Sequence, residues 1–367
     1  MPSFNRFSSG VLLAVFLSSL GAVQADPALT LRILGANSVE NVDNFNVTVQ
    51  LKNTGTEALE LYNEPRGLLS KAPTDSFKIL KANDDSAASF DGVLAKYNFA
   101  SATSFTNLGV GESVDVTHNL AQAYSFASGG AYNVVPSNTR FFYKGEDGQP
   151  VPIDATVERT HTAKLIGSLV SRHVQKRQEH AAKYKKRALE AQALGKRATQ
   201  FANCTPDQEQ AIQESVYVAS LYVAQAEKYL TLNTETTDRY GTWFGEYSAD
   251  NHQTALSHFA AIRKSDVKTY TFDCACEESS DTYAYVYPSE FGHIYLCNQY
   301  MLAAVSGTDS KAGTIVHEST HFTANGGTRD LAYGQVRAQA LAAANATAAV
   351  NNADSHEYFA ENTPYRP

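Results

Sequence analysis

The chain has 367 residues and 43% hydrophobic content, which is long for one core and too apolar for wholesale disorder. Its net charge of −8 is unevenly spread: residues 172–197 carry nine Lys or Arg against two Glu, while residues 198–367 carry nine basic and twenty acidic residues. A basic character confined to one short stretch excludes nucleic acid as the expected partner.

Residues 1–25 read as a signal peptide: Arg6 precedes the apolar run Val11 to Leu20, and Val23-Gln24-Ala25 offers a small-residue cleavage site. That run is too short to span a bilayer, so export without a membrane anchor is expected. Strand patterns follow over residues 26–171. Leu29 to Leu34 and Phe45 to Leu51 alternate with period two, and shorter candidates lie at Ala58 to Tyr62, Phe77 to Leu80, Ser113 to Val116 and Phe141 to Tyr143. Strands without intervening helices predict a β-sandwich-like domain. His118 and His161 are isolated and are expected at the surface, and no internal repeat is visible.

The basic stretch 172–197 is rich in Ala, Lys and Glu and lacks proline, which predicts a helical connector. Exposed charged connectors are where proteolytic nicking concentrates, and Lys176, Lys183, Lys185, Lys186, Lys196 and Arg197 offer processing sites. Cleavage after Arg197 leaves 170 residues. A sandwich ahead of such a connector reads as a propeptide that covers the active site or assists folding. A permanent recognition domain, as in an adhesin, is the rival reading.

Residues 198–367 change character. Ile212, Val216, Ala219, Val223 and Ala226 recur at helical spacing within Pro206 to Leu230, and His252 to Ile262 predicts a second helix. Thr282 to Tyr287 and His293 to Leu296 read as strands, and Gln335 to Val350 as an alanine-rich helix. Helices on a small sheet give an α+β domain, with the Thr282 to Tyr287 strand as the candidate edge for an extended substrate. All four cysteines, Cys204, Cys274, Cys276 and Cys297, lie here. In an exported chain they predict two disulfides rather than a four-cysteine zinc site. Cys274 and Cys276 are too close for a comfortable mutual bridge, and the pairing stays open on spacing alone.

The chemistry concentrates in His317-Glu318-Ser319-Thr320-His321. On a helix, residues four apart share a face, so the two histidines can meet one Zn2+ while Glu318 sits beside it as general base. A third ligand is needed beyond the helix. Asp330 lies nine residues after His321, past Gly326 and Gly327, which let the chain turn back. Three protein ligands leave one position for water, as a catalytic site requires. Farther on, Asp354 and Glu357 are three apart and can face one pocket if their segment is helical.

His-Glu-x-x-His followed by Gly327-Thr328-x-x-Asp330-x-x-Tyr333-Gly334 resembles the deuterolysin-type metallopeptidases, the aspzincins. The likeness is closer to the peptidyl-Lys metalloendopeptidases and related secreted bacterial toxin peptidases. It extends to Thr242-Trp243-Phe244-Gly245, Tyr270 to Cys274, Ala284 to Pro288 and Asn352 to Phe359, covering about residue 200 onward. The resemblance implies a zincin-type catalytic domain with one Zn2+ on His317, His321 and Asp330. It makes Glu318 the base and Tyr333 the donor to the developing oxyanion. It also implies disulfides Cys204–Cys274 and Cys276–Cys297, and selection by Asp354 and Glu357 of lysine just after the cut bond (P1′). The expected product is therefore a secreted monomeric zymogen acting on lysine-containing proteins and peptides and interacting with its own propeptide. Intact Glu318 and Tyr333 speak against the remaining alternative, an inactive zincin-fold binding protein. His356 could support the site, whereas His252, His258 and His293 are expected to be structural.

Overall fold

The computed structural model describes residues 26–193, 199–276 and 281–367. The expected signal peptide and the Lys196-Arg197 processing step lie outside these residues.

Within residues 29–168 two main sheets enclose one apolar core, and 89–90 pairs with 124–125 in a small third sheet. Seven strands line up in the order 105–108, 59–62, 140–144, 150–159, 29–35, 46–53 and 113–119; the second sheet runs 38–41, 161–168, 130–136 and 77–81. Leu31, Ile33, Val47, Val49 and Leu51 face Phe77, Ile79, Tyr132, Val134 and Leu165 across the core. The alternation read from the sequence explains this, because period-two strands put every second side chain on the inner face. His118 and His161 depart from expectation. Both are buried, and their Nε2 atoms reach the carbonyl oxygens of Leu68 (3.0 Å) and Ala36 (3.1 Å). A buried imidazole satisfied by a backbone carbonyl is cheap to keep, so isolation in sequence did not mean exposure.

A helix, Arg172–Ala193, follows. Its start is tied back to the β-region: Arg172 pairs with Asp43 at 2.6 Å, and Arg177 pairs with Asp91 at 2.9 Å and donates to the Gln122 carbonyl at 3.0 Å.

The C-terminal region packs helices on a five-stranded sheet of order 200–202, 271–273, 293–296, 282–286 and 94–97. The long helix Pro206–Leu232 opens with a capping box between Thr205 and Gln208 and buries Ile212, Val216, Ala219, Val223, Ala226 and Leu230. Helix Ala249–Ser265 lies beside it, and Lys311–His321 runs through the centre with every residue buried. The alanine-rich segment is two helices, Gln335–Ala344 and Ala346–Ala349, because Asn345 adopts φ −156° and caps the second through its side chain. Helix Ala353–Glu361 closes the fold against the central helix. The cysteines pair Cys204–Cys274 and Cys276–Cys297 with Cα separations of 5.0 and 5.1 Å, the connectivity the resemblance implies.

One strand crosses between the two regions. Leu94–Tyr97 belongs by sequence to the β-region, yet it is the outer strand of the C-terminal sheet. It runs antiparallel to Thr282–Val286, with Ala95 opposite Tyr285 and Lys96 opposite Ala284.

Candidate active site

Ser310 starts the central helix by accepting from Gly313 N at 2.9 Å. The helix passes so close to helix Ala353–Glu361 that a Cβ on Gly313 would sit 2.0 Å from a Glu361 carboxylate oxygen. A larger residue there would push that carboxylate away from Ser310, which donates to it through N and Oγ. The next turns bring His317 and His321 onto one face, with ring centroids 4.8 Å apart. After His321 the chain reverses. Gly327 takes φ +61°, and Thr328 returns to the helix, its N–H bonding the Thr320 carbonyl at 3.2 Å. Asn352 then fixes the following loop by accepting from Leu331 N and Ala332 N at 2.9 and 3.0 Å. That loop carries Asp330 into the face of the two histidines.

Three atoms converge there. His317 Nε2 and His321 Nε2 are 3.1 Å apart, and Asp330 Oδ1 lies 3.0 and 3.2 Å from them. His321 Nδ1 lies 3.0 Å from the Thr328 carbonyl oxygen, while His317 Nδ1 faces Asp354 at 2.8 Å and Glu357 at 3.3 Å. These partners only accept, so each neutral imidazole carries its proton on Nδ1 and turns a lone pair from Nε2 toward the other ligand atoms. Two lone pairs and a carboxylate oxygen in a buried space repel one another unless a cation lies among them. With bonds of about 2.0 Å, tetrahedral zinc separates its ligand atoms by roughly 3.3 Å, close to the spacing here. The donor set fits zinc.

Glu318 and Tyr333 flank this point. Burial raises the Glu318 carboxyl to about 8, and one of its oxygens has no hydrogen-bond partner. Burial also holds the Tyr333 phenol well above its usual range, so it remains a donor.

The inserted strand occupies the same space. Ala95 N donates to Asp330 Oδ2 at 3.1 Å, Tyr333 OH donates to the Ala95 carbonyl at 2.9 Å, and Lys96 N donates to Glu318 Oε1 at 3.3 Å. The Lys96 side chain is fully buried in an acidic pocket. Its Nζ lies 2.6 Å from Glu357, 3.1 Å from Asp309 and 3.8 Å from Asp354. The rings of Tyr283 and Tyr358 flank the ammonium at 5.3 and 5.6 Å. Burial alone would lower the Lys96 pKa, but Glu357, Asp354 and Asp309 together hold it well above the usual lysine range.

Residues 229–361 match the aspzincin family described as lysine-specific metallo-endopeptidase. The chain is 39% identical to the peptidyl-Lys metalloendopeptidase of Grifola frondosa over 98% of its own length and 99% of that protein. It is 39% identical to the peptidyl-Lys metalloendopeptidase of Armillaria mellea over 98% and 99% of the two chains. It is 33% identical to an extracellular protease of Aeromonas hydrophila over 96% of both. The chain belongs to the aspzincin family. It is a zinc metalloendopeptidase.

In this aspzincin the structure brings together all seven residues singled out at the site: His317, Glu318, His321, Asp330, Tyr333, Asp354 and Glu357. It also adds residues that the sequence reading missed. Lys96 stands far from the motif in sequence, and Asp309, eight residues before His317, carries no pattern of its own. Asn352 lies inside a stretch already noted, and its side chain holds the Asp330 loop. His356 sits one layer behind. Its Nδ1 donates to the Asn352 carbonyl at 3.0 Å and its Nε2 meets His258 Nδ1 at 3.1 Å, both rings kept neutral by burial. His252 bonds the Asn233 carbonyl at 3.0 Å, and His293 lies 3.4 Å from Asp273, both within the packed interior. Among the described residues no helix is long and apolar enough to cross a membrane.

Proposed function

We propose that this aspzincin is a secreted zymogen that cuts peptide bonds on the amino side of lysine, and that residues 26–171 are its propeptide. The observation that carries the reading is the placement of Ala95-Lys96. A peptide bond preceding a lysine lies in the cleft with its carbonyl on Tyr333, its N–H on Glu318 and its ammonium among carboxylates. It does so as an extended strand paired with Thr282–Val286, which is how an edge strand receives a peptide.

Bound to His317, His321 and Asp330, zinc would acidify a water molecule and polarise the carbonyl next to it. Glu318 takes the water proton as the oxygen attacks the carbonyl carbon. It then delivers that proton to the departing lysyl nitrogen, where the Lys96 N–H now rests. Tyr333 meets the charge that develops on the carbonyl oxygen. The carbon–nitrogen bond breaks, leaving a new carboxylate and a new amino-terminal lysine. In the zymogen the inserted strand excludes other peptides from this position.

A digest of a protein mixture by the processed enzyme, with cut sites read by mass spectrometry, tests the reading. Lysine is expected immediately after most cut bonds. A random distribution there would refute the lysine selectivity while leaving the peptidase chemistry standing.

A further inference from the structure

Asp354 and Glu357 do not share the lysine ammonium equally. Glu357 contacts it at 2.6 Å, but Asp354 is 3.8 Å away. The Asp354 oxygens are directed elsewhere, one 2.8 Å from His317 Nδ1 and the other accepting from Gly334 N at 2.6 Å. The closer second carboxylate is Asp309, from the loop before the central helix, at 3.1 Å. We propose that Asp309 is a specificity-determining residue of the lysine pocket, the second direct acceptor for the P1′ ammonium beside Glu357, with Asp354 holding His317 instead. The inference rests on the lysine-selective reading above.

The local build supports a fixed acceptor. Asp309 takes a left-handed φ of +51°, which Asp and Asn tolerate better than most residues. Its backbone N–H donates to Glu361 at 3.2 Å, and Glu361 also receives Ser310 N and Ser310 Oγ at 2.9 and 2.8 Å. The loop is therefore pinned to the last helix. Tyr358 OH donates to Asp309 Oδ1 at 2.7 Å and orients the carboxylate. Oδ1 then meets Lys96 Nζ, while Oδ2 receives the side-chain amide of Asn98, two residues farther along the bound strand. Asp309 Oδ1 thus has a positioned donor on one side and the ammonium on the other, as a charge-assisted contact requires.

The test compares processed wild type with Asp309→Asn and Asp354→Asn, using peptides that carry lysine or methionine at P1′. Asparagine keeps the shape and the left-handed preference while removing the charge, and melting temperature with zinc content reports the fold. For Asp309→Asn we expect kcat/KM on the lysine peptide to fall by about tenfold or more. The methionine peptide should change much less, and zinc should stay at one per chain. Asp354→Asn should weaken zinc retention under chelator and slow both peptides alike. A lysine-selective wild type with an unchanged lysine-to-methionine ratio in a folded, zinc-loaded Asp309→Asn would overturn the role of Asp309 alone. Loss of zinc retention in Asp309→Asn rather than in Asp354→Asn would reverse the two assignments. A wild type without lysine selectivity would overturn both this inference and the reading beneath it.

Discussion

Glu318 and Glu290 are both buried carboxylates held above their ordinary range, and they differ in what surrounds them. Glu318 faces the Ala95–Lys96 bond and the converging histidines, so its burial places a proton carrier beside a reacting bond. Removing it should leave the ligand atoms in place. Glu318→Ala is expected to keep stoichiometric zinc by metal analysis and to lose about a hundredfold to ten-thousandfold in kcat/KM. Asp330→Ala should instead lose the metal. Wild-type turnover in Glu318→Ala would remove the carboxylate from the mechanism. Glu290 sits beside Tyr295, whose hydroxyl donates to it at 3.3 Å, with its other oxygen unpartnered. Burial raises it to about 7 from 4.5, against the Tyr295 bond and the Arg177 charge. Below pH 4.5 it is protonated in folded and unfolded chains alike and costs nothing. As pH rises from 4.5 to 7 the unfolded chain ionises first, so stability falls over that window by roughly 2–3 kcal/mol. Glu290→Gln should flatten that part of the pH–stability curve and raise the melting temperature at pH 8. An equal fall in the variant would assign the loss to other groups.

At the scale of elements, the inserted strand Leu94–Tyr97 is the piece that lies in the cleft. Its sheet pairing resembles that of any peptide, so the buried ammonium of Lys96 supplies the particular grip on this site. Replacing that ammonium by an apolar chain of similar length leaves three carboxylates without their cation, a costly arrangement. In a full-length Glu318→Gln chain, which cannot process itself, Lys96→Met is therefore expected to open the cleft. A fluorescent peptide with lysine at P1′ should bind the double variant at least about tenfold more tightly than the single one. Equal binding would mean that the strand does not guard the site. The motif helix and its aspartate were legible in the sequence because their ligands lie within fourteen residues and helical spacing fixes their faces. The inserted strand was not, because four residues of weak alternation cannot say which sheet they join. Strand 150–159 was hidden for a different reason. Pro150 and Pro152 break the strand signature, yet they fall in the half that pairs only with 140–144, and the proline-free half from Ala155 onward pairs with 29–32. Asp309 was invisible because its partners come from two separate segments, Lys96 on the inserted strand and Tyr358 and Glu361 on the last helix.

For the molecule as a whole, the charge boundary at residues 172–197 coincides with a change of architecture, and the helix Arg172–Ala193 starts as part of the β-region rather than as a free linker. Arg172 and Arg177 bind Asp43, Asp91 and the Gln122 carbonyl, so the first turns are anchored. A protease needs an extended, yielding stretch of chain, and anchored helical turns resist that opening more than distal ones do. Lys176 lies between the two anchoring arginines, whereas Lys183, Lys185 and Lys186 come after them and Lys196 later still. Maturation is therefore expected to cut before Lys183 or a later lysine and to spare Lys176. Cutting the connector also leaves the inserted strand in place, held by its sheet pairing and by Lys96. The β-region should then remain bound after the cut, and activity should lag behind cleavage until that region dissociates or is digested. A time course on the full-length chain checks both points. Intact mass spectrometry gives the new amino terminus, and hydrolysis of a lysyl peptide in the same samples gives the activity. A mature form beginning at Lys176, or full activity at the instant of connector cleavage, would contradict the anchored-connector account. Active material consisting only of the uncut chain would make the β-region a permanent domain instead of a propeptide.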